Sequence, residues 1–366
     1  LAKNHHLESG KWITQSQLQK ETKKQFPLHS QSVQSVVHRY IWNRDSAHKA
    51  KEKGYNTRYP YRTKKYYPTR WVQEAFTIHP NGKIELSLGV WNGKRKKPIV
   101  VKVKRLPKAE VKMIELVWDG TLKLAFTYES EIVSEVKTTG QEAAIDLGEI
   151  HSIAAVSESG EAMISTGRQL RSNKRLRNKK LKELTKKRAR CKKESRKYKR
   201  YTRAMAKLKQ KTDNQQHYIL HKQSRQFVDW ALENNVKKVY VGDVEGVQRN
   251  TSSRKKTNPK RKRRSRKHNQ RMSQWPFGKL IGYLSYKLAE QGIGLELINE
   301  AHTTQTCPVC SRRKKPSGRV YRCSCGYELH RDLHGARNIL ALGQYGEIRS
   351  GELAMPTKVM YLRPVA

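Results

Sequence analysis

Acid is the scarcest resource in this sequence: 31 Asp and Glu stand against 78 Lys and Arg in 366 residues, a formal net charge of +47. Solubility alone does not ask for such an imbalance, so the expected partner is a polyanion. Cysteine is scarce too, at five residues, which excludes a disulfide framework; two tight pairs and the outlier Cys191 suit a reducing compartment. Cys191 sits in a Lys/Arg-rich helical stretch and reads as a free thiol. No run of 18 apolar residues occurs and no signal peptide opens the chain, which argues against a membrane-spanning or secreted protein. The first residue is Leu1 rather than Met, as a processed or truncated product would have, so a missing N-terminal element is allowed for. Apolar residues make up only 36%, yet at roughly 100 to 200 residues per domain they suffice for two or three cores. A multidomain chain is expected.

Against that background, one C-terminal stretch is dense with chemistry: Cys307-Pro-Val-Cys310, Cys323-Ser-Cys325-Gly, then His330-Arg331-Asp332 opening a run with Ala336, Ile339 and Leu340 at helical spacing. Four thiols in two close pairs, separated by a basic loop containing Pro316 and Gly318, have the spacing of a tetrahedral structural zinc site whose loop folds around its ion. The single residue between Cys323 and Cys325 is a tight gap, and His330 stands as a reserve ligand.

Upstream, several grammars follow one another. Apolar residues at a rough helical period (Leu18, Val33, Val36, Val37, Tyr40, Ile41) predict a small helical unit over 12–50. Five tyrosines among basic residues between Tyr55 and Tyr67 suit stacking on exposed bases. Residues 70–130 alternate polar and apolar, as in Lys83-Ile-Glu-Leu, Ile99-Val-Val-Lys, Met113-Ile-Glu-Leu and Leu122-Lys-Leu-Ala, with turn signals at Asn81-Gly82, Asn92-Gly93 and Asp119-Gly120; a small antiparallel barrel is expected. From Ala143 the pattern changes. Ala-Ala-Ile-Asp146-Leu-Gly, Ile153-Ala-Ala-Val and Ala162-Met-Ile-Ser read as three strands with an acid on the first, the way an RNase H-like sheet begins. Two long basic helices over 170–235, a strand at Val236–Val241, a basic linker over 249–271, a helix over 276–291 and a strand at Leu295–Glu300 complete an α/β pattern. His221 and Gln226 lie on a helix with Phe227 and Trp230 and read as structural.

In a chain this poor in acid, well-placed carboxylates gain weight. Asp146 and Asp332 both fall at element ends, and a third acid would complete a site for two divalent ions, which need clustered hard oxygen ligands. Glu300 and Glu245 compete for that third place, with Asp243 as an outsider.

The order Ile-Asp146-Leu-Gly, Val-Gly-Asp243-Val-Glu-Gly, Asn269-Gln-Arg-Met-Ser-Gln-Trp-Pro-Phe-Gly, Thr303-Thr-Gln-Thr-Cys-Pro-Val-Cys310 and Cys325-Gly-Tyr-Glu-Leu-His-Arg-Asp332 resembles the TnpB (OrfB) transposon-encoded nucleases, relatives of compact type V CRISPR effectors. The likeness covers roughly 55 to 345, including Pro60-Tyr-Arg-Thr-Lys-Lys-Tyr and Glu115-Leu-Val-Trp-Asp-Gly. It implies an RNA-guided DNA endonuclease with these parts: a helical recognition region at 1–54, a β wedge barrel at 55–138, a split RuvC-like nuclease at 139–301 and 331–345, a zinc-binding target-strand module at 302–330 and a tail at 346–366. Within the nuclease lie a helical insert (169–235) and a basic linker (246–275). The resemblance also implies two Mg2+ ions on Asp146, Glu300 and Asp332, one structural Zn2+ on Cys307, Cys310, Cys323 and Cys325, a structured guide RNA, double-stranded target DNA, no membrane, and a prokaryotic, nucleoid-associated cytoplasmic location.

Two departures matter. The family places its middle glutamate right after the second parallel strand, where this chain has Gly242; Glu300, ending the next strand, is the expected substitute, with Glu245 as the alternative. Neighbouring parallel strands lie about 5 Å apart, so the swap is geometrically allowed. The family also usually spaces its second thiol pair by two residues, not one. The basic run at Lys255–Lys267 is expected to order on RNA rather than act as a nuclear address. Rival readings are a compact CRISPR effector of the same lineage, a nuclease-dead RNA-guided repressor with a broken acid trio, and a structure-specific resolvase, which the +47 charge and helical insert oppose.

Overall fold

The structure, a computed structural model, describes residues 1–60, 66–129, 135–244, 266–349, 351 and 353–364. The chain divides into two units, Leu1–Glu131 and Ile132–Ala366.

The first unit opens with α1 (Ala2–Ser9), α2 (Gln15–Thr22) and α3 (Ser30–Glu52). Thr14 and Gln17 satisfy each other's backbone N–H groups in a capping box that starts α2. Ile13, Leu18, Val37 and Ile41 form the helical core. Strands β1 (Thr69–Val72), β2 (Phe76–Ile78), β3 (Lys83–Leu86), β4 (Val90–Trp91), β5 (Lys94–Arg95), β6 (Ile99–Lys102), β7 (Val111–Trp118) and β8 (Leu122–Tyr128) follow. They make two antiparallel three-stranded sheets, β1-β7-β8 and β2-β3-β6, and a β4-β5 ribbon. Both sheets pack on Trp71, Ile84, Leu86 and Ile114. Where a small antiparallel barrel is expected, the described strands form these sheets and ribbon, and the chain passes from β1 to β2 through a 3₁₀ turn at Gln73–Ala75, as sheet corners do. The tyrosine-rich segment is partly engaged within the unit: Tyr59 meets the Trp12 ring at 5.1 Å and Tyr66 stacks on Trp118 at 4.6 Å. Tyr61 lies outside the described residues.

The second unit is built on one six-stranded sheet. Strands β9 (Gln141–Asp146), β10 (His151–Ser157) and β11 (Glu161–Thr166) run antiparallel; helices α4 (Arg168–Ala189) and α5 (Arg196–Glu233) follow; then β12 (Val236–Asp243), α6 (Arg266–Ser273), α7 (Phe277–Ala289) and β13 (Gly294–Asn299). Strand β12 pairs parallel with β9, and β13 parallel with β12. A two-stranded ribbon, β14 (Val320–Arg322) and β15 (Glu328–His330), leads into α8 (Arg331–Tyr345), and β16 (Lys358–Leu362) closes the sheet, whose order is β13-β12-β9-β10-β11-β16.

The near-continuous apolar text of β9 reflects burial of both sheet faces. Ala143 and Ile145 share a core with Phe227, Trp230, Leu280 and Leu284 of α5 and α7. Ala144 on the opposite face joins Ile339 and Leu340 of α8, and Ala154 and Ile164 join Leu333 and Ala336. Helix α4 buries only Leu170, and the buried residues of α5 begin at Gln216, so the far part of this hairpin presents its Lys and Arg to solvent.

Two sequence expectations change. The stretch read as a tail contributes β16, parallel to β11, because Arg337 Nη2 donates to Leu353 O and Ala354 N to Glu158 O, bringing the chain back along an open strand edge. The C-terminal part of the basic linker is helical, as α6. Residues 245–265, including Glu245 and most of the basic run, lie outside the described residues. His221 stacks on Tyr283 at 4.0 Å, in keeping with a structural role. Among the described residues, no helix is long and apolar enough to cross a membrane.

Candidate metal centres

Asp146 ends β9, a central strand of the sheet, and α8 packs against that strand. A Cβ at Gly335 would collide with Asp146 Oδ2 and crowd Thr304 Cγ2. Glycine inside a helix costs about 1 kcal/mol relative to alanine; here it lets the helix backbone reach the carboxylate.

Glu300 lies one residue past β13. The register pairs Gly242 with Ile298 and Asp243 with Asn299, and from its turn Glu300 folds back over the neighbouring strand. A Cβ at Gly242 would stand 2.6 Å from Glu300 Oε2 and 3.3 Å from Glu300 Cβ. The volume that a side chain at 242 would use is therefore filled by Glu300. Its turn is fastened: Ala301 N–H donates to Asn299 Oδ1 at 3.0 Å and the Thr303 hydroxyl to Glu300 O at 3.0 Å. Buried Asn338 of α8 then donates to Thr303 O at 2.7 Å and Thr306 O at 2.8 Å.

The charges of these acids act on one another. Burial, then the charges of Glu300 and Asp332, push Asp146 well above the usual carboxylate range, with Arg331 opposing them. Burial and the charge of Asp243 push Glu300 to about 7. Among the described residues no ion pair involves Asp146 or Glu300. Unrelieved repulsion among oxygen ligands is the condition a divalent cation removes, so the residues fit Mg2+ chemistry.

Asp332, in the first turn of α8, faces a different neighbour. His151 Nδ1–H donates to Asp332 Oδ2 at 2.6 Å. Burial raises the Asp332 carboxyl, but the His151 hydrogen bond and the charges of His151, His330 and Arg331 outweigh it and hold it below its usual value. Ring nitrogens of His151 and His330 and a carboxylate oxygen of Asp332 lie within 4.8 Å of one another. Asp146, Glu300 and Asp332 do not converge that tightly among the described residues. His330, which ends β15, thus gathers with His151 and Asp332, and the four thiols gather without it, where it was expected as a reserve zinc ligand.

The four thiols converge without it. Cys307 Sγ lies 3.6 Å from Cys325 Sγ and Cys310 Sγ 3.5 Å from Cys323 Sγ, with all four within 4.8 Å and no disulfide. A tetrahedral zinc with bonds of about 2.3 Å spaces its sulfurs by about 3.8 Å, so the set fits zinc despite the one-residue gap. Burial pushes Cys307 up to about 12, whereas a hydrogen bond from the Cys325 backbone and the neighbouring thiols draw Cys323 down to about 6. Cys307 packs with Tyr321 and Tyr327.

Sequence reading missed His151, Gly335 and Asn338. A glycine within an otherwise helical run beside a candidate acid was the available signal for Gly335. Nothing local marked His151, whose partner is distant in sequence.

The comparisons with known proteins bear on the same segments. A Cas12f1-like TNB domain model matches residues 277–339, and a model described as probable transposase, OrfB of IS605, matches 125–248. A TnpB-like protein of Methanocaldococcus jannaschii is 30% identical over 139 residues, 37% of this chain and 46% of that protein. A TnpB-like protein of Acidianus two-tailed virus is 37% identical over 67 residues, 18% of this chain and 15% of that protein. The alignments therefore span less than half the length of these curated relatives. The fold resembles the protein of a Cas12f1–sgRNA–target DNA complex with a TM-score of 0.60 at 14% identity, over 92% of this chain and 74% of that one. Over these segments the chain is similar to TnpB-like proteins and to a Cas12f1-like domain, in keeping with the order of its motifs.

Proposed function

We propose that the chain is an RNA-guided DNA endonuclease that hydrolyses both target strands in one RuvC-like site after guide pairing and recognition of a target-adjacent motif. The observation that carries this reading is Glu300 filling the space above Gly242, with its charge acting on Asp146, so that it would serve as the middle acid where position 242 has none. Two Mg2+ ions held by Asp146, Glu300 and Asp332 would supply Lewis acidity and a nucleophilic water. The chain's own part is to fix the oxygen ligands: β9 holds Asp146, the Asn299–Thr303 turn aims Glu300, and the first turn of α8 presents Asp332 with His151 steadying its Oδ2.

The thiol module, carrying one structural Zn2+, would position single-stranded target beside these acids. The basic hairpin of α4 and α5 suits the phosphates of guide RNA and heteroduplex, with sequence reading delegated to base pairing. The unit at Leu1–Glu131 would serve as recognition region and wedge, and a nucleoid-associated cytoplasmic setting in a prokaryote follows from the substrate. The match of residues 277–339 to a Cas12f1-like domain favours one second reading, a compact CRISPR effector of the same chemistry; a neighbouring repeat array in the genome distinguishes it.

The test has two arms. Purified protein is expected to carry a discrete structured RNA, and Asp146→Ala is expected to abolish cleavage of DNA matching that guide. Protein free of such RNA would sink the guided reading, and cutting retained by Asp146→Ala would sink the assignment of the site.

A further inference from the structure

The corner at Asp332 has a ligand chemistry that the acid trio does not explain. His151 begins β10, His330 ends β15 and Asp332 sits in the first turn of α8, so three separate elements bring two imidazoles and one carboxylate together within 4.8 Å. The imidazole rings are 5.3 Å apart and tilted by 48°, so they are not stacked on one another as a packing pair. His330 Nδ1 is buried with no hydrogen-bond partner, although buried polar nitrogens are as a rule satisfied. The His151 side chain is only 12% exposed and that of Asp332 23%. Two imidazoles and a carboxylate therefore face one another in a half-buried corner.

We propose that His151, His330 and Asp332 form a binding site for a first-row transition ion, Mn2+ or Co2+, distinct in chemistry from the oxygen-only position at Asp146 and Glu300. Imidazole nitrogen suits these ions, whereas Mg2+ prefers oxygen and keeps much of its water. The geometry needs only a tautomer change: the proton that His151 Nδ1 now shares with Asp332 moves to Nε2, and the neutral ring offers its Nδ1 lone pair. A ring nitrogen of His330 and the Asp332 carboxylate complete two nitrogens and one oxygen, with the remaining positions left to water. Asp332 is shared with the nuclease reading, but the site stands without it, since binding needs neither nucleic acid nor cleavage. If both hold, the centre is mixed, with one ion on oxygen ligands and its neighbour on imidazole.

Full-length protein with its thiol module loaded with zinc is titrated with Mn2+ alone and followed by electron paramagnetic resonance. An Asp146→Asn/Glu300→Gln background removes the oxygen-only position from the count. One Mn2+ per chain is expected, with its electron spin-echo envelope showing coupling to imidazole nitrogen. His151→Gln and His330→Gln should each weaken binding by about tenfold or more, and equimolar Mg2+ should leave the signal in place. Bound Mn2+ without nitrogen coupling in the unsubstituted chain would overturn the site, whatever the folding of the variants; so would unchanged affinity in both histidine variants, or displacement by equimolar Mg2+. Failure of the nuclease reading looks different: no cleavage under any condition, with nitrogen-coupled Mn2+ intact.

Discussion

Cys307, Cys310, Cys323 and Cys325 come from one short ribbon and its turns, whereas Asp146, Glu300 and Asp332 come from a central strand, the turn after another strand and the start of the last helix. The first centre is local, so its ligands can gather wherever the segment folds. The second exists only when the whole sheet and α8 are in place. Helix α8 is where the two meet. His334 stacks on Tyr321 at 3.9 Å and accepts from the Tyr327 hydroxyl at 3.2 Å, while Asn338, one turn later, holds the loop between Glu300 and Cys307. Burial lowers His334 to about 4, so this ring is neutral and its contacts persist at physiological pH. The comparison teaches that a thiol module with ligands for its own ion is fastened to the helix carrying Asp332, next to acids that only the assembled sheet brings together.

The largest effect that would sharpen this contrast is loss of the local centre. Zinc binding to such thiol sets contributes on the order of 10 kcal/mol, so Cys307→Ser is expected to unfold the module. Near-ultraviolet dichroism from Tyr321 and Tyr327 should disappear while the far-ultraviolet spectrum of the large sheet persists. Equal loss of both would erase the distinction between local and assembled centres.

Gly335→Ala attacks the other side. Its Cβ meets Asp146 Oδ2, and overpacking of this kind costs about 1–3 kcal/mol, more than the roughly 1 kcal/mol that alanine gains in a helix. Zinc content should stay at one per chain while divalent-ion affinity at the acids and cleavage both drop; wild-type divalent affinity would show that the close approach of α8 has no role. His334→Ala targets the bolt between the two. Losing the stack and the Tyr327 hydrogen bond should lower stability by about 1–3 kcal/mol and reduce cleavage with zinc retained. Cleavage at the wild-type rate would uncouple the centres.

The smallest effect concerns pH. Glu300 titrates at about 7, above its ordinary 4.5, so between those values the folded chain holds a proton that the unfolded chain has lost. Stability from this group is complete below about 4.5 and falls as pH rises through about 7. The metal-free protein should therefore melt at lower temperature at pH 8 than at pH 5, in the contribution removed by Glu300→Gln, and Mg2+ should restore most of the loss at pH 8. A melting profile that Glu300→Gln leaves unaltered would mean that the carboxylate is not under strain.

How much of this was legible follows from where each signal lives. The thiol spacing is written in adjacent residues, and the three β-strands from Ala143 announce themselves through apolar runs and turns. The place of Glu300 was readable because Gly242 left a visible gap one strand away. His151 was not, because its only partner is brought to it by the sheet and α8. The parallel pairing of β16 was hidden as well: Lys358–Leu362 has little apolar periodicity, and its position depends on Arg337 and Glu158 grasping the chain ahead of it. In the tyrosine segment Tyr59 and Tyr66 meet protein rings while Tyr55 and Tyr67 are exposed, and the two kinds look alike in sequence.

In the proposed mechanism Glu300 replaces the acid that Gly242 cannot supply. Metal-dependent cleavage of guide-matched DNA by Glu300→Gln, measured beside Glu245→Gln, tests it most directly. Loss of cleavage to the level of Asp146→Ala, with Glu245→Gln cutting normally, is the predicted result; full cutting by Glu300→Gln would contradict it.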